Sequence, residues 1–296
     1  MILGRYLSTG SMLLDELLGG GFLAGVTNTI YGDPGSGKTT IIMSSVLNAL
    51  KDSDDNARAL IIDTEAGWSE ARIASIAEML NMDVNETLKK IRVYKVTKLS
   101  EQHETVLKTF EQDIKTNNWL PILFAIDSIA SIYHSQLLNT QTSLLASVAR
   151  MLQGKLSTEI GHLLDFADIY EVPAIIVSWS RSPAAENFDK KRKIEALKAI
   201  NEGNAEFDLE AGLGAWEYPI IGGRHLIYYS KVLLHLRTLE APSGEKLAVL
   251  EKSIEQPSNR CVRFRIGQRG IEEIENERVR SIQEYLYETA TKKIDT

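Results

Sequence analysis

The segment Gly32-Asp33-Pro34-Gly35-Ser36-Gly37-Lys38-Thr39 restricts what this chain can fold into more than any other stretch of it. Glycine, four free positions and then Gly-Lys-Thr form the phosphate-loop pattern, which works only between a strand and a helix. The β-branched and apolar run before it reads as the strand, and the helix begins near Lys38. Glycines let successive backbone N–H groups turn inward on phosphate oxygens, and the helix start adds the positive end of its dipole. Lys38 bridges the terminal phosphates, and the Thr39 hydroxyl is the expected ligand to Mg²⁺. Residues 32–40, ending in Thr40, are therefore the expected ATP-binding set.

The rest of the chain suits such a loop. Apolar runs of strand length at residues 26–31, 57–62, 91–96, 121–126 and 173–179 alternate with amphipathic stretches starting near Lys38, Ser69, Ser100 and Ser143. This alternation predicts an α/β fold with a mostly parallel central sheet and helices on both faces. Three of the four helices are expected to open on a capping serine. Residues 230–239, 246–252 and 260–266 alternate like antiparallel strands, with a turn at Ala241-Pro242-Ser243-Gly244. An acidic then basic helix is predicted over about 272–293. Between them, about 181–221 form a long charged loop. The whole of 1–296 reads as one domain.

Composition narrows the function. A hydrophobic fraction of 44% supplies a substantial core, while a net charge of -7 excludes coating DNA through bulk positive charge. Any nucleic-acid contact has to be local. The single cysteine, Cys261, sits in an apolar alternation and reads as a core residue. No run approaches ~18 apolar residues and the amino terminus lacks a signal-peptide layout, so the expectation is a cytoplasmic protein with no membrane partner.

A phosphate loop also needs an acid for the metal's shell, and Ile122-Leu123-Phe124-Ala125-Ile126-Asp127 ends a buried strand in one. Asp127 is the expected metal-shell residue. Ser128 follows it, so the base that orients the attacking water must come from elsewhere. Ile61-Ile62-Asp63-Thr64-Glu65 offers a second acidic strand end, and Glu65 is the candidate base, the alternative being an exposed carboxylate that leads into the next helix.

With these residues the chain resembles the archaeal RadA and eukaryotic recombinase branch of the RecA superfamily. The resemblance begins at Ser8-Thr9-Gly10-Ser11 and Leu14 to Gly21, which look like that family's approach to the phosphate loop. It implies a RecA-like core in which Glu65 is the catalytic glutamate beside Lys38, and Arg72 packs on the adenine. Gly222-Gly223, followed by Ser230 and Leu236-Arg237, is similar to the closing end of a DNA-binding loop. Glu255-Gln256-Pro257 resembles the segment that caps a neighbour's ATP in family filaments.

Two departures set expectations of their own. Recombinases end the strand equivalent to Ala174-Ile175-Ile176-Val177 in a glutamine that senses the γ-phosphate, whereas here the position falls at Trp179 or Ser180. Only seven residues precede Ser8, too few for the family's amino-terminal DNA-binding domain and subunit linker. The resemblance is thus to a RadB-like paralogue, core ATPase domain only: an accessory in recombination and repair, nucleoid-associated if archaeal and nuclear if eukaryotic. Its implied partners are single-stranded DNA and a RadA-type recombinase or another paralogue. A KaiC-like signalling ATPase is the alternative.

The charged loop carries Lys190-Lys191-Arg192-Lys193, a candidate phosphate contact or else a solvated helix face. Its second half is acidic. Phe188, Ile194, Leu197 and Ile200 recur at helical spacing within it. Trp179 and Trp216 are candidate base-stacking platforms or core-closing aromatics, and Arg181 is a candidate DNA or phosphate contact.

Overall fold

The computed structural model describes residues 5–51, 53–140, 145–180, 220–239 and 244–294. In chain order the elements are β1 (Tyr6–Leu7), α1 (Met12–Leu18), β2 (Phe22–Leu23), β3 (Thr27–Gly32), α2 (Lys38–Leu50), β4 (Ala57–Asp63), α3 (Glu70–Met79), α4 (Val84–Lys89), β5 (Ile91–Lys95) and α5 (Leu99–Glu104). A π-helical turn (Thr105–Thr109) follows, then α6 (Phe110–Asn117), β6 (Leu120–Asp127), α7 (Ser131–Leu138), α8 (Leu145–Tyr170) and β7 (Ala174–Trp179). The chain resumes at α9 (Gly223–Tyr229), β8 (Val232–Thr238), β9 (Lys246–Lys252), β10 (Arg260–Gly267), β11 (Gly270–Glu273), β12 (Arg280–Ser281) and α10 (Ile282–Ile294).

The main sheet runs β11-β10-β9-β8-β3-β7-β6-β4-β5, with β12 on β10. From β8 through β3, β7, β6 and β4 to β5 every pair is parallel; from β8 to β11 every pair is antiparallel. The two halves meet at β8, beside the strand that feeds the phosphate loop.

Period-two side-chain alternation buries the parallel half on both faces. Ala59 and Ile61 of β4 join Ile41, Val46 and Leu47 of α2 in one core, whereas Leu60 and Ile62 face Phe110, Leu163 and Phe166 in the other. Phe124 stacks on Phe166 at 5.1 Å between centroids, offset-aromatic packing that fastens α8 to β6. In the antiparallel half Cys261 is buried with Leu247 and Val249 against Ile282 of α10, and burial pushes its thiol up to about 11. This is the core role expected of it.

The expected strands form, with edges shifted by a residue or two. The carboxy-terminal helix over about 272–293 is corrected. Glu272 and Glu273 belong to β11, hairpinned onto β10 with Ile271 opposite Ile266, and the helix starts only at Ile282. Gly270, at φ 93, makes the reversal that a helix reading overlooks. Ser69 caps α3, its Oγ accepting from Arg72 N at 3.2 Å. Ser100 is no cap, because α5 begins after Lys98 without a side-chain cap bond. Ser143, the turn at 241–243 and nearly all of the charged loop lie outside the described residues. The short helices α1, α4, α7 and α9 have no counterpart among the sequence expectations.

Candidate nucleotide-binding site

The site lies at the carboxyl ends of β3, β7, β6 and β4, where open parallel sheets bind ligands. β3 enters the loop through Gly32, whose backbone runs so close to β8 that a Cβ there would stand 2.2 Å from the Leu236 carbonyl oxygen. Gly37, at φ 102, is the residue before α2, a left-handed conformation that glycine adopts without strain. Asp33, Pro34 and Gly35 form the exposed tip, while Ser36 is buried and its Oγ has no partner among the described residues.

Lys38 is buried, and its Nζ donates to the carbonyls of Gly32 and Asp33, both at 2.8 Å. Burial pulls its pKa below the usual lysine range, opposed by the charges of Glu65, Asp127 and Asp33. Thr39 Oγ1 donates to Asp127 Oδ2 at 2.6 Å. Trp68 Nε1 donates to the same oxygen at 3.2 Å. Desolvation pushes the Asp127 carboxyl up to about 6, with the Thr39 bond opposing and the nearby Glu65 adding to the rise. Thr39 and Asp127 thus share one point beneath the loop.

Glu65 is carried there by a tied turn. The Asp63 carboxylate is buried and accepts from the backbone N–H groups of Glu65 at 3.1 Å, Gly67 at 3.2 Å and Trp68 at 3.1 Å. Thr64 bonds across to β6, its Oγ1 donating to Ser128 O at 2.8 Å and its N–H to Asp127 O at 2.9 Å. Glu65 itself is exposed, and its Oε1 accepts from Trp179 Nε1 at 2.7 Å. No local pattern in the sequence marks Asp63 as an organiser of this turn, although it ends the same strand, and none marks Trp68.

The structure brings Lys38, Thr39, Asp127 and Glu65 together. Arg72 Nη2 donates to Gly267 O at 2.9 Å, at the turn between β10 and β11. Gly222 is buried and precedes α9, of which Gly223 is the first residue. Lys190, Lys191, Arg192, Lys193, Arg181 and Trp216 lie outside the described residues. Glu255 binds Arg5 and Tyr6 of its own chain, and Gln256 packs at Gly19. The Trp179 indole, a candidate base-stacking platform, is taken up by Glu65 and lies edge-on to His134 at 5.9 Å.

A complete phosphate loop on a parallel sheet, with an acid from β6 and a glutamate after β4, defines a RecA-like P-loop ATPase class. The comparisons refine this: the Rad51 family model matches residues 5–192, and the chain belongs to that family. It is 29% identical over 269 residues to the DNA repair and recombination protein RadB of Thermococcus kodakarensis, covering 91% of this chain and 100% of that one. The protein of the same name from Methanocaldococcus jannaschii is 30% identical over 263 residues, covering 89% of this chain and 100% of its own. A solved structure, described as the crystal structure of the RadB recombinase, superimposes with a TM-score of 0.64 at 25% identity, covering 91% of this chain and all of that one. Membership selects the recombination and repair branch over the signalling alternative.

Proposed function

We propose that this chain is an ATP-dependent accessory of homologous recombination and DNA repair that hydrolyses ATP slowly. The observation carrying the reading is the Thr39–Asp127 contact beneath the phosphate loop, with Glu65 close enough to perturb both Lys38 and Asp127. Among the described residues no cluster of His, Cys, Asp and Glu could hold a metal alone. A cation at the Thr39 hydroxyl and Asp127 carboxylate would take its remaining ligands from phosphate oxygens and water, which suits Mg²⁺. Thr39 and Asp127 would hold it, and when bound it neutralises charge developing on the phosphates.

The chain's own groups supply the rest. Backbone N–H groups of residues 35–39 orient the phosphates, and Ser36 Oγ and the Lys38 ammonium, released from two carbonyls, are further donors to them. Glu65 takes the proton of the attacking water. Arg72 contacts the nucleotide base after exchanging its carbonyl partner. Single-stranded DNA at Gly222, Gly223 and Lys190 to Lys193, a recombinase partner and a cytoplasmic location beside the chromosome belong to the same proposal.

Glu65→Gln should lower kcat by at least about 10²-fold while ATP is retained. Lys38→Ala should abolish ATP binding. Both are checked by ATPase assay and equilibrium binding, with and without single-stranded DNA. Parental ATP binding by Lys38→Ala would overturn the site. Failure of the parent to bind single-stranded DNA or to alter recombinase activity would overturn the accessory role.

A further inference from the structure

We propose that Trp179 is a positioning residue that restrains the general base: its indole N–H holds the Glu65 carboxylate away from the attacking water and so keeps ATP turnover low. The proposal rests on Glu65 being that base.

The topology gives the contact its meaning. Trp179 ends β7 and pairs in register with Gly32, the first residue of the phosphate loop. Glu65 lies two residues beyond the end of β4, and β6 runs between β7 and β4. The 2.7 Å bond from Trp179 Nε1 to Glu65 Oε1 therefore spans the end of β6, where Asp127 holds Thr39. On the proposed base assignment, Glu65 meets the attacking water beside this bond.

The chemistry is one-sided. An indole N–H only donates, so it can occupy a carboxylate lone pair but can neither accept a proton nor orient a water by accepting from it. Donation to a carboxylate is charge-assisted, and a water competes with it for the same oxygen.

Trp179 is also fixed from behind. His134 of α7 meets its ring edge-on, at 72° between planes. Its carbonyl accepts from Ile221 N at 2.9 Å, and Ser180 bridges to Ile220. Ser178 Oγ donates to Ile221 O at 2.5 Å. Backbone on both sides holds the indole over the site.

The test is single-turnover and steady-state hydrolysis of labelled ATP by the full chain. Trp179→Phe keeps an aromatic ring against His134 and loses the N–H. Benzothienylalanine at position 179 keeps the bicyclic shape with sulfur in place of N–H, which guards against a folding defect in the phenylalanine variant. Both replacements should raise kcat about five- to tenfold, the scale of one charge-assisted hydrogen bond, with KM for ATP within about twofold. Adding Glu65→Gln should erase the gain. An unchanged or lower kcat in the benzothienyl protein, with Glu65→Gln alone inactive, overturns the restraint and leaves the base assignment standing. Parental turnover by Glu65→Gln alone overturns the base assignment instead.

Discussion

Asp63 shows how one buried carboxylate can organise a site that it does not enter. Its two oxygens accept three backbone N–H groups, from Glu65, Gly67 and Trp68. Without them the turn carrying the candidate base would have three donors to satisfy from solvent. Asp63→Ala should therefore cost about 1–3 kcal/mol in stability and lower kcat at least about tenfold with a smaller change in KM, as read by chemical denaturation and ATPase assay. Gly32→Ala acts differently, since its Cβ would meet the backbone oxygen of Leu236 at 2.2 Å. That atom cannot swing aside as a side chain can, so an overpacking loss of roughly 1–3 kcal/mol is expected in thermal unfolding. At this scale the sequence was legible where chemistry is local. The phosphate loop occupies consecutive residues, and Asp127 and Glu65 stand at strand ends that apolar runs announce. The bond between Trp179 and Glu65 joins residues separated by 114 positions and leaves no trace in any window of sequence.

The strands are more legible in this sequence than the helices, and the reason is physical. Buried parallel strands are continuous apolar runs, whereas α1 and α4 are too short to display a helical period. β11 contributes one large apolar side chain, Ile271, followed by two glutamates that mimic a helix start. The charges of residues 272–293 therefore suggest a helix, which strand pairing at Glu272, Glu273, Arg280 and Ser281 confines to Ile282 onward. A second element-level feature, invisible in composition, joins α5 to α8. Glu159 of α8 is fully buried; it accepts from Gln102 Nε2 at 2.7 Å and lies 3.2 Å from His103 Nδ1. Burial pushes its carboxyl up to about 7, opposed by the Gln102 bond and the Lys155 charge, while burial, Lys155 and His162 lower His103. Because the folded pKa of Glu159 exceeds its unfolded value of 4.5, folding takes up a proton in between. Its contribution is fully present below pH 4.5 and is lost as pH rises through about 7. Glu159→Gln should flatten that part of the stability profile and be at least as stable as the parent at pH 8, measured as Tm against pH.

Across the whole molecule, the described sheet divides into a parallel half that builds the nucleotide site and an antiparallel half that covers its flank. The Ile266 side chain of β10 packs so close to Gly37 that a Cβ there would lie 2.4 Å from it, and Arg72 reaches the carbonyl of Gly267. Nucleotide binding should therefore tighten both halves together. ATP with Mg²⁺ at 100 times its Kd should stabilise the folded state by about 2.7 kcal/mol, seen as a rise in Tm of a few degrees that Lys38→Ala abolishes. Two separate unfolding transitions, with only one moved by ATP, would contradict this.

The position of β3 in the sheet also dictates when the phosphate loop can exist. The strand is made well before its two neighbours, β7, starting at Ala174, and β8, starting at Val232. On a ribosome the loop would emerge and wait unsupported while β7 and β8 are synthesised, because contacts so distant along the chain form late. Nascent chains halted before Val232 should fail to retain ATP on an affinity resin, and those halted after β10 has cleared the exit tunnel should retain it. The ability to hold a nucleotide should therefore follow the synthesis of β8 and not that of the loop itself.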